Sequence, residues 1–237
     1  MNIYIPEFKH SPYSIIVLLS VIAGLFSAIL LQRKSGIKKQ TIVYTVFLVF
    51  FSILIVAFSF GSVVQFDSYA LGFSGIGGAF GLIIAVVAST FIFRDKPDCL
   101  CASFVISAPL MYSLSKLGCL LVGCCHGFEY HGPFALTYAV HSNKSYFPVQ
   151  AFDIISFLLI YILLLFLFFK VGNKFKLIYT ALCIMIPIRF AEDFMRESHG
   201  ERIISNSQIE VLFVSIFSLV LVFVWQKLLQ KRTADNS

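Results

Sequence analysis

Apolar runs long enough to cross a bilayer recur from one end of this chain to the other, and no other feature constrains its fold as tightly. A hydrocarbon core about 30 Å thick is spanned by about 20 helical residues. Runs of that kind lie at about 13–31, 41–61, 72–93, 99–122, 149–170, 177–195 and 208–227, separated mostly by short polar breaks. Nothing is left over for a soluble domain. With 59% hydrophobic residues, 13% charged residues and a mean hydropathy of +0.90, the chain lies outside the range of ordinary soluble domains. Backbone groups in lipid must be paired internally, and these runs lack the alternation of barrel strands, so they are expected to be helices. The expectation is an all-α, multi-pass protein of the cell's inner (cytoplasmic) membrane, one transmembrane domain over residues 1–237. The first run follows Pro6, Lys9, His10 and Pro12, without the basic segment and cleavage site of a secretory signal, and is expected to stay.

Charge supplies the orientation. The net charge of +6 is not a nucleic-acid signature, because the basic residues alternate by loop. Arg33, Lys34, Lys38 and Lys39 follow the first run, Arg94 and Lys96 the third, Lys170, Lys174 and Lys176 the fifth, and Lys227, Lys231 and Arg232 the seventh. Basic loops mark the cytoplasmic side, so the N-terminus is expected outside and the C-terminus in the cytoplasm. Most acidic residues, among them Glu129, Asp153, Glu192 and Asp193, fall on or near the outer side. An even number of spans would break the pattern.

The one long loop, 123–148, lies on the outer side and is rich in Gly, His and Tyr, which favours packing over the mouth of the bundle. Glycines gather at Gly72, Gly75, Gly77, Gly78 and Gly81. Close helix packing explains them most simply, and backbone approach to a lipid head group is the sharper alternative. Cys119, Cys124 and Cys125 sit together beside His126, with His131 and His141 further along. Adjacent cysteines followed by His-x4-His is not a standard zinc spacing, so neither metal nor cofactor is expected. Asn143-Lys144-Ser145 matches a glycosylation acceptor, a pattern too short to carry weight.

Four helix ends on the outer side carry polar groups. Arg189, Asp193 and Arg196 are spaced i, i+4 and i+7, which on a helix puts the carboxylate between two guanidiniums. An ion pair anchoring a helix end would account for this. Two arginines on one acid also leave positive charge for an anionic head group, which is the favoured reading. Tyr112, Lys116, Cys119 and Gly123 form a second stripe, in which Lys116 either snorkels or joins the site. Gln150 and Asp153 share a face after Pro148, and Ser205-Asn206-Ser207-Gln208 opens the last run. His126 is the candidate base, imidazole titrating near neutrality.

These residues also carry a resemblance. From the third run onward the chain resembles the prolipoprotein diacylglyceryl transferases. Ser74-Gly75-Ile76-Gly77-Gly78 resembles a segment ending in His-Gly-Gly. Lys116-Leu117-Gly118-Cys119-Leu120-Leu121-Val122-Gly123 resembles Arg-(Leu/Ile)-Gly-Asn-Phe-x-Asn-Gly. Gly123-Cys124-Cys125-His126-Gly127 is similar to the Gly-Cys-Cys-x-Gly of a cysteine-bearing branch. Phe147-Pro148-Val149-Gln150-Ala151-Phe152-Asp153 resembles His-Pro-x-Gln-x-Tyr-Glu, and Arg189, Asp193 and Arg196 match Arg-x3-Glu-x2-Arg. The resemblance implies a seven-helix, N-out bacterial membrane enzyme of lipoprotein biosynthesis. Such an enzyme moves a diacylglyceryl group from phosphatidylglycerol to the thiol of a lipobox cysteine at the outer leaflet. By the same resemblance Arg189, Asp193 and His126 are the catalytic candidates, and Lys116, Arg196, Gln150, Asp153, Cys119, Gly77, Gly78 and Gln208 the substrate-binding ones. Ile76 and Phe147 stand where the family has histidines, and Lys116, Cys119 and Val122 replace its Arg and two Asn. A paralogue that binds an anionic lipid or lipopeptide without catalysis is therefore the alternative.

Overall fold

The computed structural model describes residues 3–8, 11–64, 74–141, 144–200 and 203–235. Gly72 and Asn143, and the expected start of the third run, lie outside them. Seven α-helices account for most of the chain: α1 (Tyr13–Lys34), α2 (Lys39–Val64), α3 (Gly75–Ile92), α4 (Pro97–Val122), α5 (Val149–Lys170), α6 (Lys174–Glu192) and α7 (Asn206–Asp235). Six are long and apolar enough to cross a membrane. The other is α6, which carries Lys174, Lys176, Arg189 and Glu192 at its ends and Pro187 within.

Local chemistry sets the boundaries. Pro97 begins α4, where its missing N–H is not needed, and Asp98 adds an acid to the first turn. The helix ends at Gly123, whose φ of 78° is left-handed and whose N–H bonds to the Cys119 carbonyl at 2.9 Å. Asn173 caps α6 by accepting from Lys176 N at 3.1 Å.

The outward faces show what surrounds the bundle. On α5, Phe152, Ile155, Leu159, Ile162, Phe166 and Phe169 are all exposed at helical spacing, and on α7 so are Ile209, Phe213, Ile216, Val220 and Phe223. Exposed apolar stripes of this length need an apolar solvent. Inside, Ala28, Leu100, Phe104, Leu164, Ala181 and Trp225 are sealed in the core. Short hydroxyl bonds tie the helices: Gln32 Nε2 donates to Ser103 Oγ at 2.9 Å, and Ser27 Oγ lies 2.9 Å from the Tyr161 hydroxyl.

One element departs from the all-helical expectation. Ile3–Ile5 forms a strand, β1, that pairs in parallel with β2 (Leu136–Tyr138), and β2 pairs antiparallel with β3 (Ser145–Tyr146). Strands of two or three residues are too short to leave a period in the sequence, and this sheet exists only because the N-terminal segment docks on the long loop. Ile5, Leu136, Tyr138 and Tyr146 form a small apolar core beneath it.

Candidate functional site

The loop after α4 and the connection between α6 and α7 are bound to each other. Phe128 N donates to Met195 O at 3.1 Å, Glu197 N to His126 O at 3.3 Å, and Gly127 pairs with Arg196. Those contacts gather the C-terminal ends of α4 and α6 and the N-terminal ends of α5 and α7 at one end of the bundle.

The centre of the cluster is Asp153, fully buried on α5. Arg196 Nη2 donates to its Oδ2 at 2.7 Å, and Lys116 Nζ lies 3.4 Å from the same oxygen. The side chains of these two cations are 6% and 8% exposed, so the pairing is internal and not an interfacial snorkel. Tyr112 stands against all three cations. Its hydroxyl is 3.5 Å from Arg196 Nη2, and its ring centroid is 5.0 Å from Lys116 Nζ and 6.0 Å from the Arg189 guanidinium carbon.

Arg189 belongs to a neighbouring group. Its Nη1 is 3.6 Å from Asp193 Oδ1 and its Nη2 donates to Ser207 Oγ at 3.1 Å, while Ser205 Oγ donates to the other Asp193 oxygen. Gln208 locks this corner, with its Oε1 accepting from Ser205 N at 2.9 Å and its Nε2 donating to Phe190 O at 3.3 Å. The expected placement of Asp193 between two arginines is corrected here. Helix α6 stops at Glu192, Asp193–Met195 is a 3₁₀ turn, and Arg196 is extended at φ −91° and ψ 142°. Arg196 therefore leaves the helix face and takes Asp153 as its partner. Glu192, passed over in the sequence, is buried and accepts from Ser156 Oγ.

Several polar atoms of the cluster lack a hydrogen bond. Arg189 Nη1, Arg196 Nε, Asp153 Oδ1, Asp193 Oδ1 and Glu192 Oε2 are all buried without one among the described residues, and Arg189 Nη1 faces Asp193 Oδ1 at 3.6 Å as an ion pair. Buried donors are nearly always satisfied, so Arg196 Nε, whose carboxylate partner is met by Nη2 instead, calls for an explanation.

Gln150 serves the loop: its Nε2 donates to Cys124 O at 2.9 Å and to the Tyr138 hydroxyl at 3.2 Å. His126 lies in an aromatic group, its ring centroid 4.0 Å from that of Tyr146 and 4.7 Å from that of His141. Its Nδ1 faces two acceptors, Glu197 Oε2 and Gly127 O, each at 3.3 Å, so in the neutral ring Nδ1 carries the proton and Nε2 the basic lone pair. His131 is set apart, on the surface beside Glu129.

Cys119, Cys124 and Cys125 are free thiols whose sulfurs all lie within 4.8 Å of one another. Contacts from Cys119 and Cys124, together with the charges of Lys116 and Arg196, hold the Cys125 thiol below its ordinary range, while contacts from Cys119 and Cys125, with burial, push Cys124 up. Gly77 and Gly78 face α2. A Cβ on Gly77 would sit 2.7 Å from Val56 O, and the nearest atom to one on Gly78 would be Ile53 Cγ2 at 3.8 Å. Their neighbours are helix-packing neighbours, and no contact joins them to the charged cluster among the described residues.

The fold and cluster define a class: a multi-pass membrane protein with a buried group of cations at one end of its bundle. The family model described as LGT, prolipoprotein diacylglyceryl transferase, matches residues 1–225, and the chain belongs to that family. It is thereby a membrane transferase of lipoprotein biosynthesis, the family's activity being diacylglyceryl transfer to prolipoprotein. No curated protein matches it significantly.

Proposed function

We propose that this protein transfers the diacylglyceryl group of phosphatidylglycerol to the thiol of a prolipoprotein cysteine, at the outer leaflet of the cytoplasmic membrane. The observation that carries this reading is the buried group of cations at one end of the bundle, Arg196 and Lys116 on Asp153 with Arg189 across Tyr112, in which Arg196 Nε has no hydrogen-bond partner among the described residues. These cations would hold a phosphodiester head group and stabilise its charge as a leaving group. Asp153 and Asp193 hold the cations in place. The acceptor thiol must lose a proton, and His126, with Nδ1 fixed by Glu197, presents Nε2 as the base. Gln150 and Gln208 fix the loop and the start of α7.

Orientation follows from the charge alternation and is part of the proposal. Reporter fusions at Ser35 and Ser237 should read cytoplasm and one at His141 outside, and a cytoplasmic His141 would reverse the sidedness of the site.

The reaction is tested by incubating purified protein with phosphatidylglycerol and a lipobox peptide, then weighing the peptide by mass spectrometry. A diacylglyceryl adduct on the cysteine, with release of glycerol phosphate, is expected. The alternative of a lipid-binding paralogue has one observation in its favour: Phe147, where the family has histidine, is stacked on Phe128 with ring centroids 5.1 Å apart. Phosphatidylglycerol binding with no adduct would decide for that alternative.

A further inference from the structure

The three-thiol cluster has no part in holding the phosphate, yet the chain goes to some length to build it. Continuing α4 beyond Val122 would carry residue 124 to a face of the helix away from Cys119, because each residue adds about 100° of turn. The left-handed Gly123 returns the chain instead, and Cys125 is itself left-handed at φ 56°, a conformation unfavourable for a side chain with a Cβ. The turn is held in place by Gln150 Nε2 on Cys124 O at 2.9 Å and His141 Nε2 on Gly123 O at 3.0 Å. A left-handed residue and two partly buried hydrogen bonds thus bring three sulfurs together. Cys119 is buried, Cys124 is half-buried and Cys125 is exposed, so the cluster is closed on one side and open on the other.

We propose that Cys119, Cys124 and Cys125 form a trithiolate site for a thiophilic divalent cation, zinc by its chemistry, with the fourth position left for the acceptor thiol. Zinc–sulfur bonds of about 2.3 Å in a tetrahedron place sulfurs about 3.8 Å apart, within reach of the observed spacing after small side-chain rotations. Three thiolates around a divalent cation carry one net negative charge, which the cations Lys116 and Arg196 at the same end of the bundle would offset. Three protein ligands with an open position is the arrangement of catalytic zinc, and a coordinated thiol is deprotonated. This inference rests on the transferase reading for the identity of the fourth ligand. In that setting the acceptor S–H gives its proton to His126 Nε2, the sulfur binds the metal, and the thiolate attacks the glyceryl carbon. A C–S bond forms as the C–O bond to phosphate breaks, the electron pair leaves with glycerol phosphate, and no electron donor or acceptor is needed.

The test uses the full chain in detergent with a non-thiol reductant. Metal analysis after reconstitution with Zn²⁺ should find one equivalent, and Co²⁺ in its place should give sulfur-to-cobalt charge-transfer absorption and tetrahedral bands. Cys125→Ser, at an exposed position, should weaken Zn²⁺ binding at least tenfold while Cys183→Ser does not, and thermal unfolding of each variant separates lost binding from lost folding. Adding a lipobox peptide should shift the cobalt bands, and the same peptide with Ser for Cys should leave them unchanged. Absence of stoichiometric metal, or thiol titration showing a disulfide among the three, overturns the site. Metal with no shift on adding the thiol peptide overturns the open position. These readouts need no turnover. If they hold while no lipidated peptide forms, the metal site stands and the transferase reading falls.

Discussion

Replacing Asp153 by Asn is expected to destabilise the protein more than any other single change at the charged cluster. Its carboxylate is fully buried and is the shared counter-charge of Lys116 and Arg196, themselves almost inaccessible. Removing one partner of a buried ion pair leaves an uncompensated charge and typically costs about 3–5 kcal/mol. Here two cations are left, both of which had shared the same oxygen of the lost acid. Lys116→Met should cost much less, because Arg196 keeps its 2.7 Å bond to Asp153. The double variant Asp153→Asn, Lys116→Met should be more stable than Asp153→Asn alone, since one of the stranded charges is gone. A double-mutant cycle on unfolding free energies in detergent measures this coupling. If Asp153→Asn unfolds at the wild-type midpoint, Asp153 is not the counterion.

The same cluster shows which parts of the site were legible in the sequence. Helix ends were readable where one residue type decides them: Pro97 at the start of one helix and Pro148 just before another, Gly123 after one, and the basic residues Arg33, Lys34 and Lys170 in two last turns. That Lys116, Asp153, Arg189 and Arg196 belong at one end of the bundle also followed from their positions at helix ends. Their pairing did not. Periodicity continued α6 through Arg196, while the chain turns at Asp193, where Ser205 and Arg189 meet the carboxylate. A tertiary partner therefore overrode the i, i+7 geometry. The grouping of Cys119, Cys124 and Cys125 was legible, but their close three-way approach was not, for a related reason. Metal spacing rules count residues along the chain, and the left-handed turn at Gly123 and Cys125 folds Cys119 back onto its neighbours in a way that spacing does not encode. Tyr112 was read as part of a stripe on α4, but its place against three cations depends on helices that the stripe does not mention.

Arg189 and Arg196 both contact the cluster, but only Arg189 has no role in balancing Asp153, which makes it the cleaner probe of catalysis. Arg189→Lys keeps a positive charge near Asp193 and removes the planar, two-point donor, so turnover should fall more than lipid binding does. Loss of one such donor to a developing anion is typically worth about 2.7–4 kcal/mol, a rate loss of about a hundredfold to a thousandfold. Stability should move little, because Asp193 keeps its bond from Ser205 and the substituted lysine keeps a positive charge beside it. His126→Ala probes the other half of the reaction. If Nε2 takes the acceptor's proton, turnover at neutral pH should drop by about a hundredfold. The sign of its pH dependence follows from the thiol: above its ordinary value of about 8.5 the acceptor ionises without help, so the deficit should shrink as pH rises through that range. Measured as adduct formed per unit time, Arg189→Lys should instead be equally impaired at both pH values, because the leaving phosphate does not gain a donor at alkaline pH. A His126→Ala deficit that is the same at neutral and alkaline pH removes His126 from the proton transfer, and an Arg189→Lys protein with wild-type turnover removes Arg189 from the leaving-group site.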